Sequence, residues 1–380
     1  MKKIDYLKIE EMLDRGYTWE MIKKELPWFT DSDRKRYYGF KDGLEMFNQR
    51  FNEERMTERE QRLRLERKVL SYERSINNEQ IRDISLNKML SHQMQEALLN
   101  SKPINIYEPS INTEELDEHH IVTMSDLHYD GDIETLEDVF NKAYFEIHKR
   151  VRENNIKHLY IVEMGDTIEG AGNLRPSQAQ AVKSGMMSQL IDVLKAYVEF
   201  LKDLRKHVDI TFVVVTSSNH TQLRLMGSKQ NELVEEDLMR LFPVYMEAIM
   251  PTLDIVHAQK PELEIDNYQL LFMHGHTTKK GNFEKELSEI SSEKNQLYDF
   301  LFLGHYHHLR TIEEGVARND EGILYDKLTI VVPGLAQKRT DYEKDLKVSS
   351  TPGIGFFRFT PETGRMQTEK IPIITKTYDL

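Results

Sequence analysis

"FLFLGHYHHLR", residues 300–310, runs four apolar residues into a glycine and then places three histidines within four positions, in a chain with only 14 histidines among 380 residues. A short unbroken apolar run closed by a glycine reads as a strand buried on both faces. The histidines at its end read either as a solvated turn or as ligands. Working outward, the same pattern recurs. From residue 119 on, "HIVTMSD", "KHLYIVEMGD", "DITFVVVTSSNH", "YQLLFMHGH", "KLTIVVPG" and "GIGFFRFT" are further apolar strands, separated by helical stretches. Buried strands alternating with helices predict an α/β layered core over 119–380.

Five of these strands finish in side chains that bind metals. "MSDLHYDG" gives Asp126 and His128, "MGDTIEG" gives Asp166, "SSNHT" gives Asn219 and His220, "MHGH" gives His274 and His276, and "LGHYHH" gives His305, His307 and His308. Each short motif alone is an ordinary turn. The ordered series is different, because functional groups of open α/β sheets gather outside the carboxyl ends of their strands. With no cysteine in the chain, any metal site has to be built from His, Asp, Glu, Asn and water.

The series Asp-x-His, Gly-Asp, Asn-His, His and Gly-His-x-His resembles the calcineurin-like metallophosphoesterase superfamily over residues 119 to about 360. The resemblance implies a pair of β-sheets packed face to face with helices outside, and two divalent metal ions. It implies that Asp126, His128, Asp166 and His307 hold one ion, and that Asp166 bridges to a second held by Asn219, His274 and His305. His305 and His307 then serve different ions, with Tyr306 facing away between them as strand side chains alternate; His308 lies outside the motif, as a surface residue or a support behind the ligands. Imidazole mixed with carboxylate suits manganese, iron or zinc better than calcium or magnesium alone. Two such ions about 3.5 to 4 Å apart activate a water between them for in-line attack on a phosphoester. His220 matches the family's catalytic histidine, which protonates the leaving oxygen or stabilises the transition state. Glu169, three residues after Asp166, is placed to orient a histidine. Arg175 and Arg224, just after the second and third motifs, are candidate phosphate clamps. Two positions depart from the family pattern: Ser218 stands where glycine is usual, and Thr221 where an acidic residue usually follows the histidine.

The chain is 39% hydrophobic and 30% charged, with a net charge of −13. Its apolar runs are far shorter than the roughly 20 residues that span a bilayer, so no membrane segment is expected. The start "MKKIDYLKIEEMLDRG" lacks the apolar stretch of a secretory signal, and the missing cysteines fit a reducing compartment; a cytoplasmic protein is expected. Charge is uneven: residues 1–100 carry 20 Lys and Arg against 19 Asp and Glu, leaving 31 against 45 in the remainder. The catalytic part therefore has no overall basic footprint for nucleic acid.

Residues 1–48 read as short helices. Leu7, Ile9, Met12 and Leu13 precede Gly16, and Thr18 is placed to cap a second helix with Met21, Ile22 and Leu26. Ser32 would cap a third, "DRKRYYGFKDGLEMF". Helix, turn, helix and a basic helix suits a helix-turn-helix module on DNA and equally a small trihelical packing domain. Residues 49–100 are polar, free of proline and glycine, and read as a long helix or helical hairpin for an arm or for oligomerisation; 101–118 is a linker. An architecture of this kind is similar to bacterial or phage-borne repair-exonuclease-like proteins. The leading expectation is a nuclease, a two-metal DNA phosphodiesterase, with DNA and further copies of the chain as partners. The alternatives are a phosphatase or phosphodiesterase on a small nucleotide, and a DNA-binding scaffold with a degenerate centre.

Overall fold

Seven apolar runs become seven strands, and each lies with both faces covered for much of its length. In the computed structural model, which describes residues 6–27, 29–31, 34–35, 37–38, 93, 104, 116–170, 182–223, 236–278, 283–337 and 350–376, eleven strands form two sheets. The first holds β1 (His119–Met124), β2 (His158–Glu163), β3 (Asp209–Val215), β4 (Asp254–Ala258), β10 (Gly353–Thr360) and β11 (Arg365–Pro372), in the order β11-β10-β1-β2-β3-β4. The second holds β5 (Glu262–Ile265), β6 (Tyr268–Met273), β7 (Phe300–Leu303), β8 (Arg310–Arg318) and β9 (Leu324–Val331), in the order β5-β6-β7-β9-β8. Strands β1, β2, β3 and β4 run parallel, as do β6, β7 and β9.

Side-chain alternation along each strand builds the layers. On β7, Phe300 and Phe302 face the other sheet, where they meet Phe359 and Phe357 with ring centroids 5.2 and 5.1 Å apart. Leu301 and Leu303 face the opposite way, onto Phe283, Leu287 and Ile290 of a helix, Phe283–Lys294. On β3, Val213 and Val215 join the inter-sheet core, while Ile210, Phe212 and Val214 pack outward. The outer face of the first sheet is covered by helices Ile133–Glu153, Met186–Leu204 and Leu241–Ile249. In chain order the α-helices among the described residues are α1 (Tyr6–Asp14), α2 (Trp19–Glu25), α3 (Ile133–Glu153), α4 (Met186–Leu204), α5 (Leu241–Ile249) and α6 (Phe283–Lys294). The architecture is thus α/β, two sheets face to face with helices outside, as expected. Burying each inter-sheet phenylalanine is worth about 1.5–3 kcal/mol, and each edge-to-face pair adds roughly 0.5–1.5 kcal/mol.

The chain divides into two compact units, Met1–Arg82 and Asp83–Leu380. In the first, α1 ends in the turn containing Gly16, whose φ of +83° favours glycine. Thr18 caps α2 as expected, its hydroxyl oxygen accepting from the Met21 amide at 3.4 Å. Ile9, Ile22, Leu26, Phe29 and Tyr37 form the core of this unit, whereas Met21 is exposed. Trp19 stacks on Phe29 at 5.9 Å and carries the Arg34 guanidinium over its face at 4.9 Å. Trp28, most of the third helix, all but residue 93 of the polar arm of 49–100 and most of the 101–118 linker lie outside the described residues.

At the end of the first sheet where β1 and β2 begin, His119, His120 and His158 are buried. Burial lowers all three imidazole pKa values, that of His120 to about 4 with help from the Arg358 charge. Each is therefore neutral in the fold, while the unfolded chain takes up the protons near pH 6.5. Stability from these groups is whole above pH 6.5 and is lost as pH falls toward 4. His120 alone is expected to cost on the order of 2 kcal/mol at pH 5. Urea unfolding at pH 7 and pH 5 checks this: the protein should unfold at lower urea at pH 5, and His120→Leu should shrink the difference.

Candidate metal centre

Five loops leave the carboxyl ends of β1, β2, β3, β6 and β7, and these strands are parallel neighbours within their sheets. The loops therefore emerge at one end of the sandwich. The first two continue side by side beyond their strands: the amides of Asp126, His128 and Tyr129 donate to the carbonyls of Gly165, Asp166 and Thr167 at 3.0, 3.0 and 3.2 Å. Glu169 returns the pairing by donating to the Tyr129 carbonyl at 2.9 Å.

The backbone is strained where the ligand-type residues sit. Asp126, His128, Asp166, His305 and His307 all have φ between +49° and +70°, a region costly for residues with a Cβ. Strand β7 stops at Leu303, so Tyr306 faces away from the centre through these left-handed turns and not through strand alternation. Its hydroxyl donates to the Thr278 carbonyl at 2.5 Å and its ring meets Phe283 edge-on at 4.7 Å. Gly304 keeps the loops close: a Cβ there would fall 2.6 Å from Ser125 Oγ and 3.1 Å from the His274 carbonyl.

These loops bring Asp126, His128, Asp166, Asn219, His220, His274, His305 and His307 together, with Glu169 beside them. Three groups have side-chain donors within 4.8 Å of one another: Asp126, Asp166, His274 and His305; Asp126, His128 and His307; and His128, Glu169 and His220. His276 and His308 belong to none of them. Arg175 and Arg224 lie outside the described residues.

Proton accounting gives the site its character. His274 Nδ1 lies 3.0 Å from the Met164 carbonyl, which only accepts, so Nδ1 carries the proton. Its Nε2 then faces Asp166 Oδ2 at 2.9 Å and Asn219 Oδ1 at 3.1 Å. His128 Nδ1 faces the Glu169 carboxylate at 3.0 Å and is likewise the protonated nitrogen. Its Nε2 is buried without a hydrogen-bond partner and faces Asp126 Oδ1 at 3.8 Å, itself buried and unpartnered. His307 Nε2 approaches the same oxygen at 3.3 Å. Two sets of nitrogen and oxygen atoms thus converge in a buried space, where a proton or a cation has to lie between them. The donor chemistry and the orphaned atoms fit divalent metal ions.

The remaining bonds hold those donors in place. Asp126 Oδ2 accepts from the His305 amide at 3.0 Å and from the Ser125 hydroxyl; Asp166 Oδ1 accepts from the His220 amide at 2.9 Å. Burial alone would raise both aspartates, but His307 and His274 beside Asp126, and His274 and His220 beside Asp166, hold them below the usual carboxylate range. His274, buried but facing both aspartates, rises to about 9, while burial and the His274 charge push His305 down to about 4.

His220 Nδ1 lies 2.8 Å from the Glu169 carbonyl and 3.6 Å from its carboxylate, so Nδ1 is protonated and Nε2 faces inward, 4.0 Å from Asp166 Oδ2. Glu169 thereby orients both His128 and His220. Two buried carboxylates behind the loops escaped the sequence reading. Glu163 accepts from the Gly165 amide at 3.1 Å, the Thr167 hydroxyl at 2.9 Å and the Tyr197 hydroxyl, and burial pushes it up to about 7. A lone acid inside the apolar run "HLYIVEM" was its signal. Asp237, pushed up by burial to about 6, lies among three consecutive acids and gave none.

No family model matches the chain. It is similar to the SPbeta prophage-derived uncharacterized protein YonJ of Bacillus subtilis (strain 168), at 28% identity over 186 residues, 47% of this chain and 45% of that protein. The chain thus spans less than half the length of this curated relative. Among solved structures it is similar to a conserved protein described as a predicted phosphoesterase from Streptococcus pneumoniae (11% identity, TM-score 0.25, 67% of this chain and 99% of that one). It is also similar to zinc-complexed Vps29 from Entamoeba histolytica (12%, 0.28, 67% and 99%) and to a metallophosphoesterase from Sphaerobacter thermophilus (12%, 0.28, 66% and 88%). At these scores the chemistry rests on the side chains themselves. Among the described residues, no helix is long and apolar enough to cross a membrane.

Proposed function

We propose that the chain is a two-metal phosphoesterase of the calcineurin-like metallophosphoesterase superfamily, and that its substrate is a DNA phosphodiester. The observation that carries the first part is the pair of buried convergences of ligand-type atoms, His274 with Asp166 and Asn219, and His128 and His307 with Asp126. Asp126, His128, Asp166 and His307 would hold one ion, and Asp166, Asn219, His274 and His305 the other. Bound there, two cations would lower the pKa of a water and neutralise charge on the phosphoryl oxygens.

The chain's own groups do the rest. Asp166, anchored by the His220 amide, keeps its second oxygen turned toward His274, where the ions would be held. His220, fixed through Nδ1 by the Glu169 carbonyl, directs Nε2 toward the reacting phosphate and delivers a proton to the leaving oxygen. Nε2 can donate only in the imidazolium form, which burial disfavours and the neighbouring Asp166 and Glu169 charges favour. Left-handed backbone at five ligand positions fixes the donors before the substrate arrives.

DNA as substrate is supported by the N-terminal helices, with basic residues in "DRKRYYGFK", and by the polar arm, which would also pair copies of the chain. Manganese is the ion proposed. The second reading, a small nucleotide or phosphomonoester, is favoured by the 45 acidic against 31 basic residues beyond position 100, since a polyanion would meet repulsion there. Metal-stripped protein reloaded with Mn²⁺ and offered bis-p-nitrophenyl phosphate, p-nitrophenyl phosphate, and single- and double-stranded DNA separates the readings. Cleavage of DNA and the diester is expected. Hydrolysis of the monoester alone would move the substrate to small molecules, and no hydrolysis at all would overturn the phosphoesterase.

A further inference from the structure

The turn that carries Asn219 and His220 is flanked by Ser218 and Thr221, both fully buried. Thr221 Oγ1 donates to Asp237 Oδ1 at 2.5 Å. Its one proton is then spent, so the Ser218 hydroxyl, 2.7 Å away, must donate to Thr221. Asp237 Oδ2 accepts from the Ser218 amide at 3.0 Å, and Oδ1 also accepts from the Met239 amide at 2.9 Å. The backbones are zipped as well: Gln222 bridges to Asp237, and the Leu238 amide donates to the Thr221 carbonyl at 3.1 Å. Asp237 is 4% exposed. One buried carboxylate thus grips both ends of a four-residue turn whose two middle side chains face the centre.

We propose that Asp237 is the positioning residue of the Asn219–His220 turn, acting through the Thr221 and Ser218 hydroxyls from outside the turn. Serine and threonine at 218 and 221, the two departures of this sequence from its family pattern, are then partners in one device. Serine supplies the relayed hydroxyl and threonine the donor that a carboxylate at 218–221 would make unnecessary. A carboxylate bonded to two amides and a hydroxyl is a stiff anchor, because charged acceptors hold their donors roughly twice as strongly as neutral ones. The part of this inference that concerns turnover rests on the proposed function; the geometry does not.

The test reads the turn directly, in metal-free full-length protein labelled with ¹⁵N-histidine. The His220 Nδ1 proton, donated to the Glu169 carbonyl, should exchange slowly with solvent. Thr221→Val and Asp237→Asn should accelerate its exchange at least tenfold, and Thr221→Ser, which keeps the hydroxyl, should stay within twofold of wild type. Asp299→Asn is the control, since Asp299 is also buried and accepts from the Gln269 amide and the Tyr325 hydroxyl at the start of β7. It should lower the melting temperature without changing His220 exchange. Binding of the second Mn²⁺ should weaken at least tenfold in Thr221→Val and Asp237→Asn only. The proposal is overturned if those two variants exchange like wild type, if Thr221→Ser fails to rescue, or if Asp299→Asn has the same effect. A wild-type chain that hydrolyses no phosphoester would remove the proposed function and leave the exchange result standing.

Discussion

Asp166→Asn is expected to abolish turnover of bis-p-nitrophenyl phosphate while leaving the protein folded. Asp166 is fully buried, one oxygen taking the His220 amide at 2.9 Å and the other lying 2.9 Å from His274 Nε2. An asparagine keeps the shape and can keep the amide bond. It loses the negative charge and turns either an N–H or a neutral oxygen toward the ions. Losing a charged oxygen that would serve both proposed cations should remove several kcal/mol of transition-state stabilisation, and each 1.36 kcal/mol is about tenfold in rate. A fall of roughly a thousandfold or more in kcat/KM follows, with fewer than two Mn²⁺ retained. The melting temperature of the metal-free protein should fall, since the variant leaves buried His274 without one of its two carboxylate partners. Unchanged activity would remove Asp166, and the site built around it, from the chemistry.

His220→Ala should separate catalysis from metal binding. His220 Nε2 is 4.0 Å from Asp166 Oδ2, farther than His274 Nε2 at 2.9 Å, and its ring is held by Glu169 and not by the two convergences of ligand-type atoms. Removing a positioned proton donor costs about 10²- to 10⁴-fold. The loss should fall on kcat with KM nearly unchanged, and metal content should remain near two per chain. Loss of an ion in this variant would make His220 a ligand and require another group for the leaving oxygen.

The seven strands legible in the sequence are those with both faces covered, whose apolar runs need no partner information to be read. Strands β4, β5, β8 and β11 were not legible, and they are the four sheet edges. "RTIEEGVAR" exposes most of its residues and "RMQTEKIP" alternate ones, and both carry the charges that keep an edge from pairing further. The centre was legible because ligand-type residues follow buried strands at five places. What supports them was not: Asp237 reaches Thr221 across 16 positions of sequence, and no local pattern encodes such a contact. The left-handed backbone at Asp126, His128, Asp166, His305 and His307 was also hidden, since aspartate and histidine tolerate it without announcing it.

The most direct measurement is the Mn²⁺ content and electron paramagnetic resonance spectrum of the wild-type chain after metal stripping, reloading and removal of excess ion. The converging ligand-type atoms of His274, Asp166 and Asn219 on one side, and of Asp126, His128 and His307 on the other, predict two ions per chain with a spin-coupled spectrum. One ion, none, or two that are magnetically independent would contradict a two-metal centre.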